Sequence, residues 1–350
     1  MRHRLLVLAI AFTLAACSSD SSAPQKDSSP SQDTQAPADV ADVQGADQNA
    51  DSATPDEASP HDTPSGDVPT QPDTSTADLT PPPPSPPAPK AYSGGTCPAF
   101  SAGKNEFMVG PRKRQFELWI PEKPKGAPLV FIWHGLGDSP KNIAAYFQAQ
   151  KLATERGAVV VAPYDCCASG HKDCCATPYV WGIGSYASDS DLVMFDDLLA
   201  CIDQQADIDN TRVYTTGFSA GALWSTHLVV NRGEYLASAG IFSGGTGSIV
   251  KYSTPGNKLP VLLAHGGVDD TYAGIVKFDN ITKTFAQQLH DDGHIVVLCD
   301  HSLGHSVPMD GATWDAIFMF AHQWGDPSSP FADSLSTDFP RYCTRYAPPQ

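Results

Sequence analysis

The sequence is short of positive charge: across 350 residues, 22 Lys and Arg stand against 39 Asp and Glu, for a formal net charge of −17. No basic patch stands out, which argues against recognition of nucleic-acid phosphates. There is no C-x-x-C pair, which removes the usual dithiol redox centre. No internal repeat occurs, and the single long apolar run near the N-terminus, Leu5–Leu14, falls well below the ~20 residues that a membrane-spanning helix needs. Between Ser18 and Ala91 there is not one Phe, Trp or Tyr. Such a segment cannot bury enough apolar surface to offset its chain entropy, so residues 18–91 are expected to be a disordered linker.

What is present begins with Arg2 and Arg4, the apolar run and then small residues, the layout of a bacterial secretory signal. Leu14-Ala-Ala-Cys17 has the pattern of a lipobox, so residues 1–17 read as a lipoprotein signal with Cys17 as the lipidation site. Acyl chains there would hold the chain to a membrane. With Ser18 next, the expected destination is the outer membrane if the host is Gram-negative, or otherwise the cell surface. The linker ends in a proline-rich stretch, Pro81–Lys90, and carries most of the net negative charge. As a flexible coil its ends would lie about 50 Å apart, a spacer between membrane and folded domain.

From Tyr92 aromatic and β-branched residues return. Residues 92–350 suffice for one α/β domain with a large core. Strands are expected over 114–121, 128–135, 158–163, 212–217, 238–244, 260–266 and 294–299. Helices are expected over 141–156, 190–205, 219–232, 282–290 and 312–322. That alternation implies a mostly parallel sheet covered by helices on both faces, with ligands bound beyond the carboxyl ends of its strands.

Gly217-Phe-Ser-Ala-Gly221 fits G-x-S-x-G. It follows an apolar strand and opens a helix, the context of a nucleophile elbow that would lift the Ser219 hydroxyl above the sheet. A serine nucleophile needs a base, and the base needs an acid. Two later strands end in candidates: Asp269 and Asp270 after "PVLLAHGGV", His301 and His305 after "HIVVLC".

Taken together, "HGGVD", "GHSVP", "PLVFIWHGLGDS" and "D-x-x-RVYTTGFSAG" resemble the motifs of secreted esterases of the poly(3-hydroxybutyrate) depolymerase and feruloyl esterase group, within the α/β-hydrolase superfamily. The resemblance spans about Phe107 to Trp324. It implies an α/β-hydrolase fold and a serine carboxylic-ester hydrolase working through an acyl-enzyme on Ser219, without metal or organic cofactor. It makes Asp269 the acid, with Asp270 in reserve, and His305 the base, with His301 behind it. The oxyanion hole is expected from the N–H groups of Leu136 and Ala220. Asp191 is expected to serve structurally, as a cap. Ser306-Val307 stand where the group often carries Trp, and no further binding module is expected after the catalytic domain. The implied substrates are hydroxyalkanoate esters or hydroxycinnamoyl and acetyl esters of polysaccharide, the partner being an ester, polymeric or not, and the chain a monomer. The competing readings are an acyltransferase of the same fold and a surface lipoprotein that binds ligand without catalysis. Trp181, Trp224 and Tyr272 are candidates for a ring platform or for core packing.

Eight cysteines remain beside Cys17: Cys97, Cys166, Cys167, Cys174, Cys175, Cys201, Cys299 and Cys343. Export places them in an oxidising compartment, where an even number favours disulfides. Cys97 with Cys343 would tie the ends of the domain. "DCCASGHKDCC" (Asp165–Cys175) is then expected to be a stapled loop beside the cleft, with a metal site using His171 as the rival reading.

Overall fold

Short apolar runs fold as strands because a sheet covered on both faces offers no solvent side to their residues. In a computed structural model, which describes residues 85–170, 179–184, 189–326 and 328–348, the first half runs β1 (Gly103–Val109), β2 (Arg112–Trp119), β3 (Leu129–Trp133), α1 (Pro140–Tyr146), α2 (Ala149–Glu155), β4 (Val159–Pro163) and α3 (Asp189–Ala206). It continues with β5 (Val213–Phe218), α4 (Ala220–Arg232), β6 (Ser238–Phe242), β7 (Val261–His265), β8 (Thr271–Tyr272), β9 (Val276–Lys277), α5 (Phe278–Asp291), β10 (Val296–Asp300), α6 (Gly311–Phe320) and β11 (Cys343–Arg345). These residues belong to one unit of the chain, Thr76–Gln350. The signal, Cys17 and most of the linker lie outside the described residues, as do His171, Cys174 and Cys175.

Nine strands form the main sheet in the order β1-β2-β4-β3-β5-β6-β7-β10-β11. From β4 to β10 every neighbouring pair is parallel. β1, β2 and β11 add antiparallel edges. All five residues of β3, β4, β6 and β7 are buried. Alternate strand residues point to opposite faces, and two cores result. Phe131, Trp133 and Ile241 pack with α3, α4 and α5. Val130, Ile132 and Phe242 pack with α1, α2 and α6.

Several expectations needed correction. The helix expected over 141–156 is two, because Phe147 caps α1 and Gln148 takes a left-handed φ of 56°. The edge strands β1 and β11 and the β8–β9 hairpin were not expected. Cys97 and Cys343 do not tie the termini: Cys97 pairs with Cys201 of α3, and Cys343 of β11 pairs with Cys299 of β10, its register partner. Lys90, read as linker, forms an ion pair with Asp196 at 2.8 Å.

Asp191 makes its described contacts beyond its own helix. Its carboxylate takes Arg114 Nη1 of β2 at 2.5 Å and Gly182 N–H at 2.8 Å. It therefore ties β2, the second strand of the sheet, and an incoming loop to α3. Arg114 is wholly buried, so breaking the pair would strand a charge in the core, at a cost of about 3–5 kcal/mol.

Candidate active site

β5 ends at Phe218, and α4 begins two residues later. Between them Ser219 adopts φ 57° and ψ −120°, a region that costs a non-glycine residue about 1–3 kcal/mol and that clusters at functional sites. The strain is held by close packing. A Cβ on Gly221 would lie 2.1 Å from Trp133 O, and one on Gly217 would lie 2.6 Å from Gly221 O. Only glycine lets α4 rest on β3 and β5 this closely, which is why the motif has glycine at both ends.

β7 and β10 bring the partners. His305 Nε2 lies 2.8 Å from Ser219 Oγ, and His305 Nδ1 lies 2.6 Å from Asp270 Oδ1. A carboxylate has no proton to give, so Nδ1–H donates to Asp270 and Nε2 accepts from the Ser219 hydroxyl. The other carboxylate oxygen of Asp270, Oδ2, accepts from Ser243 Oγ at 2.7 Å and Gly266 N–H at 2.9 Å. The imidazole is held between the rings of Phe218 and Phe278, with centroids 4.7 and 4.6 Å from its own.

The acid beside the histidine is thus Asp270 and not Asp269. After β7 the chain makes a 3₁₀ turn, Gly267–Asp269, and the N–H of Asp270 donates back to Gly267 O. That tight turn leaves Val268 and Asp269 exposed and swings the next residue inward, where Asp270 is fully buried. His301 does not reach the serine either. Its Nδ1 accepts the Leu303 N–H, its ring packs near Tyr342, and burial lowers its pKa. His265 is likewise buried and shifted downward by burial.

Leu136 and Ala220 line a narrow crevice at Ser219, about 20 Å³ in volume, with Tyr179, Tyr272, Val276 and Phe278. Ala220 opens α4, so its N–H is one that an α-helix leaves without an intrahelical acceptor. Gly135 presses the preceding turn onto the nucleophile, since a Cβ there would lie 3.3 Å from Ser219 Cβ. A larger cavity of about 270 Å³ adjoins the crevice. It shares Tyr179 and Val276 with it and continues along Ile249, Ile275, Ile281 and Asn280. Of the three candidate platform rings, Trp181 and Trp224 are core residues packed with Trp133, and Tyr272 stands half-exposed at the mouth.

The cysteine-rich stretch is described as far as Gly170. Asp165 is buried and lies 3.5 Å from His134 Nε2, so the stretch begins against the turn that carries Leu136. Burial lowers the pKa of His134. Cys166 and Cys167 are both disulfide-bonded, which removes their thiolates as metal ligands. Among the described residues, no group of three or more His, Cys, Asp or Glu is placed to hold a metal.

No protein-family model matches the sequence, and no curated protein matches it. Solved structures do. The native structure of a protein called pOPH superposes with a TM-score of 0.59 at 18% identity, over 72% of this chain and 98% of its own. That of sOPH gives 0.59 at 20% identity, over 72% and 98%. With the parallel sheet, its helices and the strained strand-to-helix elbow, these likenesses identify the α/β-hydrolase fold expected from the sequence motifs.

Proposed function

We propose that the chain is a serine carboxylic-ester hydrolase with Ser219, His305 and Asp270 as its triad. The observation that carries this reading is the continuous relay from Ser219 Oγ through both nitrogens of His305 to Asp270. In the proposed reaction the Ser219 oxygen attacks the ester carbonyl while His305 Nε2 takes its proton. The backbone N–H groups of Ala220 and Leu136 receive the charge that develops on the carbonyl oxygen. The alcohol leaves with the proton from His305, and water attacks the acyl-enzyme by the same route. Asp270 holds the imidazole tautomer and stabilises its charged form.

A binding protein gains nothing from a serine held in a strained conformation against a histidine and a buried acid. That arrangement favours catalysis over the ligand-binding reading. The crevice at Ser219 has room for little beyond the reacting ester, so the rest of the substrate must extend along the adjoining cavity. Its walls mix Ile249, Ile275, Val276 and Ile281 with Ser248, Lys277 and Asn280, so we take the substrate to be an ester that carries both alkyl and polar groups, as a hydroxyalkanoate oligomer does. The disulfides Cys97–Cys201 and Cys299–Cys343 are in keeping with export, and with Cys17 as the lipid anchor.

The test is release of p-nitrophenol from short acyl esters by the full chain, with Ser219→Ala as control. Turnover that is lost in the variant, together with labelling of Ser219 by a fluorophosphonate, is the expected result. A wild-type chain that neither turns over nor labels would refute the esterase reading.

A further inference from the structure

Ser243 follows the last residue of β6 and is fully buried, yet its φ is +58°. A non-glycine residue rarely adopts that conformation. If the turn alone mattered, glycine would serve there without strain. The chain does place glycines at the next two positions, Gly244 and Gly245, but keeps a serine at this one. What the serine adds is a hydroxyl, and it donates to Asp270 Oδ2 at 2.7 Å. The backbone fixes the donor from both sides. The Ser243 N–H donates to Ala264 O of β7, and the carbonyl of the preceding Phe242 accepts the Ser219 N–H. The nucleophile elbow and Ser243 are thus joined through one strand end.

We infer that Ser243 is a positioning residue for the triad, holding the Asp270 carboxylate so that its other oxygen meets His305 Nδ1. The inference rests on the esterase reading above. Three donors converge on this carboxylate: His305 on Oδ1, and Ser243 and Gly266 on Oδ2. The two on Oδ2 set its rotation about the χ2 axis. Without the hydroxyl, Gly266 N–H alone remains to oppose rotation, and the Asp270–His305 bond loses its alignment. Loss of a donor also leaves more negative charge facing the imidazole, which favours its protonated form. Titratable and charged side chains surround this corner from several elements: His265 of β7, Asp269 of the turn, Asp279 and Lys283 of α5, and Asp300 and His301 at the end of β10. Burial holds both of these histidines below the usual histidine range.

The experiment compares Ser243→Gly and Ser243→Ala with the wild type for ester hydrolysis over pH 5–9. Glycine relieves the strained φ, so the first variant keeps the fold while lacking the hydroxyl; alanine keeps the strain. The expected result is a kcat lowered roughly 10- to 100-fold in both, the effect of losing a hydrogen bond to a charged group, with KM little changed. The acidic limb of kcat/KM moves to higher pH in both. A Ser243→Gly variant with wild-type kcat and an unmoved acidic limb would overturn the inference and leave the esterase reading intact. An inactive wild type that does not label with fluorophosphonate would instead overturn the esterase reading.

Discussion

Asp315 of α6 is fully buried beneath the sheet. Its Oδ2 accepts from Thr216 Oγ1 of β5 at 2.8 Å, while Oδ1 has no donor among the described residues. It lies so close to β6 that a Cβ on Gly240 would meet Oδ1 at 1.8 Å. One hydrogen bond does not replace the lost water, and burial pushes the carboxyl from 3.8 up to about 7. The folded chain therefore binds a proton that the unfolded chain gives up between about pH 4 and pH 7. Stability from this group is present below the unfolded pKa and is lost as pH rises through the folded one. A shift of about three pK units at about 1.4 kcal/mol each amounts to roughly 4 kcal/mol. Asp315→Asn removes the titration while keeping an oxygen for Thr216. Urea unfolding of both proteins at pH 4 and pH 8 isolates the effect, because every other group cancels in the difference. The variant should gain roughly 4 kcal/mol on the wild type between the two pH values, whatever its offset at pH 4. A difference that stays constant with pH would refute the burial argument.

Gly221→Ala would press a methyl group into the backbone of β3, and should lower stability by about 3 kcal/mol or more, read by thermal or urea unfolding. Ser248→Trp places a large ring in the cavity beside the crevice, so the ratio of kcat/KM for a hydroxyalkanoate trimer to that for p-nitrophenyl acetate should fall about tenfold. In a bacterial host, labelled fatty acid should appear on the chain and vanish in Cys17→Ser, which also should shift the protein out of the membrane fraction.

Much of the fold was legible because parallel strands buried on both faces read as unbroken apolar runs, from "PLVFIW" to "PVLLAH". β1 and β11 lie at sheet edges, where one side is exposed and the apolar signal fades. The G-x-S-x-G elbow was legible because backbone packing dictates its glycines. Asp270 was not, because adjacent carboxylates differ only in the phase of the turn before them, and a 3₁₀ turn here shifts that phase by one residue. Ser243 looks in sequence like any serine after a strand, and only the fold brings it 27 positions along the chain to Asp270. Trp181 and Trp224 had to await the fold for the same reason. Disulfide partners are set by three-dimensional proximity, which is why Cys97 joined Cys201 in place of Cys343.

The relay itself is tested most directly by its acid. Asp270→Asn and Asp269→Asn differ by one position and alter the same turn. The account predicts that Asp270→Asn lowers kcat for p-nitrophenyl acetate by about 10⁴-fold, as expected when the orienting acid is lost. Asp269→Asn, an exposed change, should leave it within about twofold. The reverse pattern, or equal losses in the two variants, would contradict it.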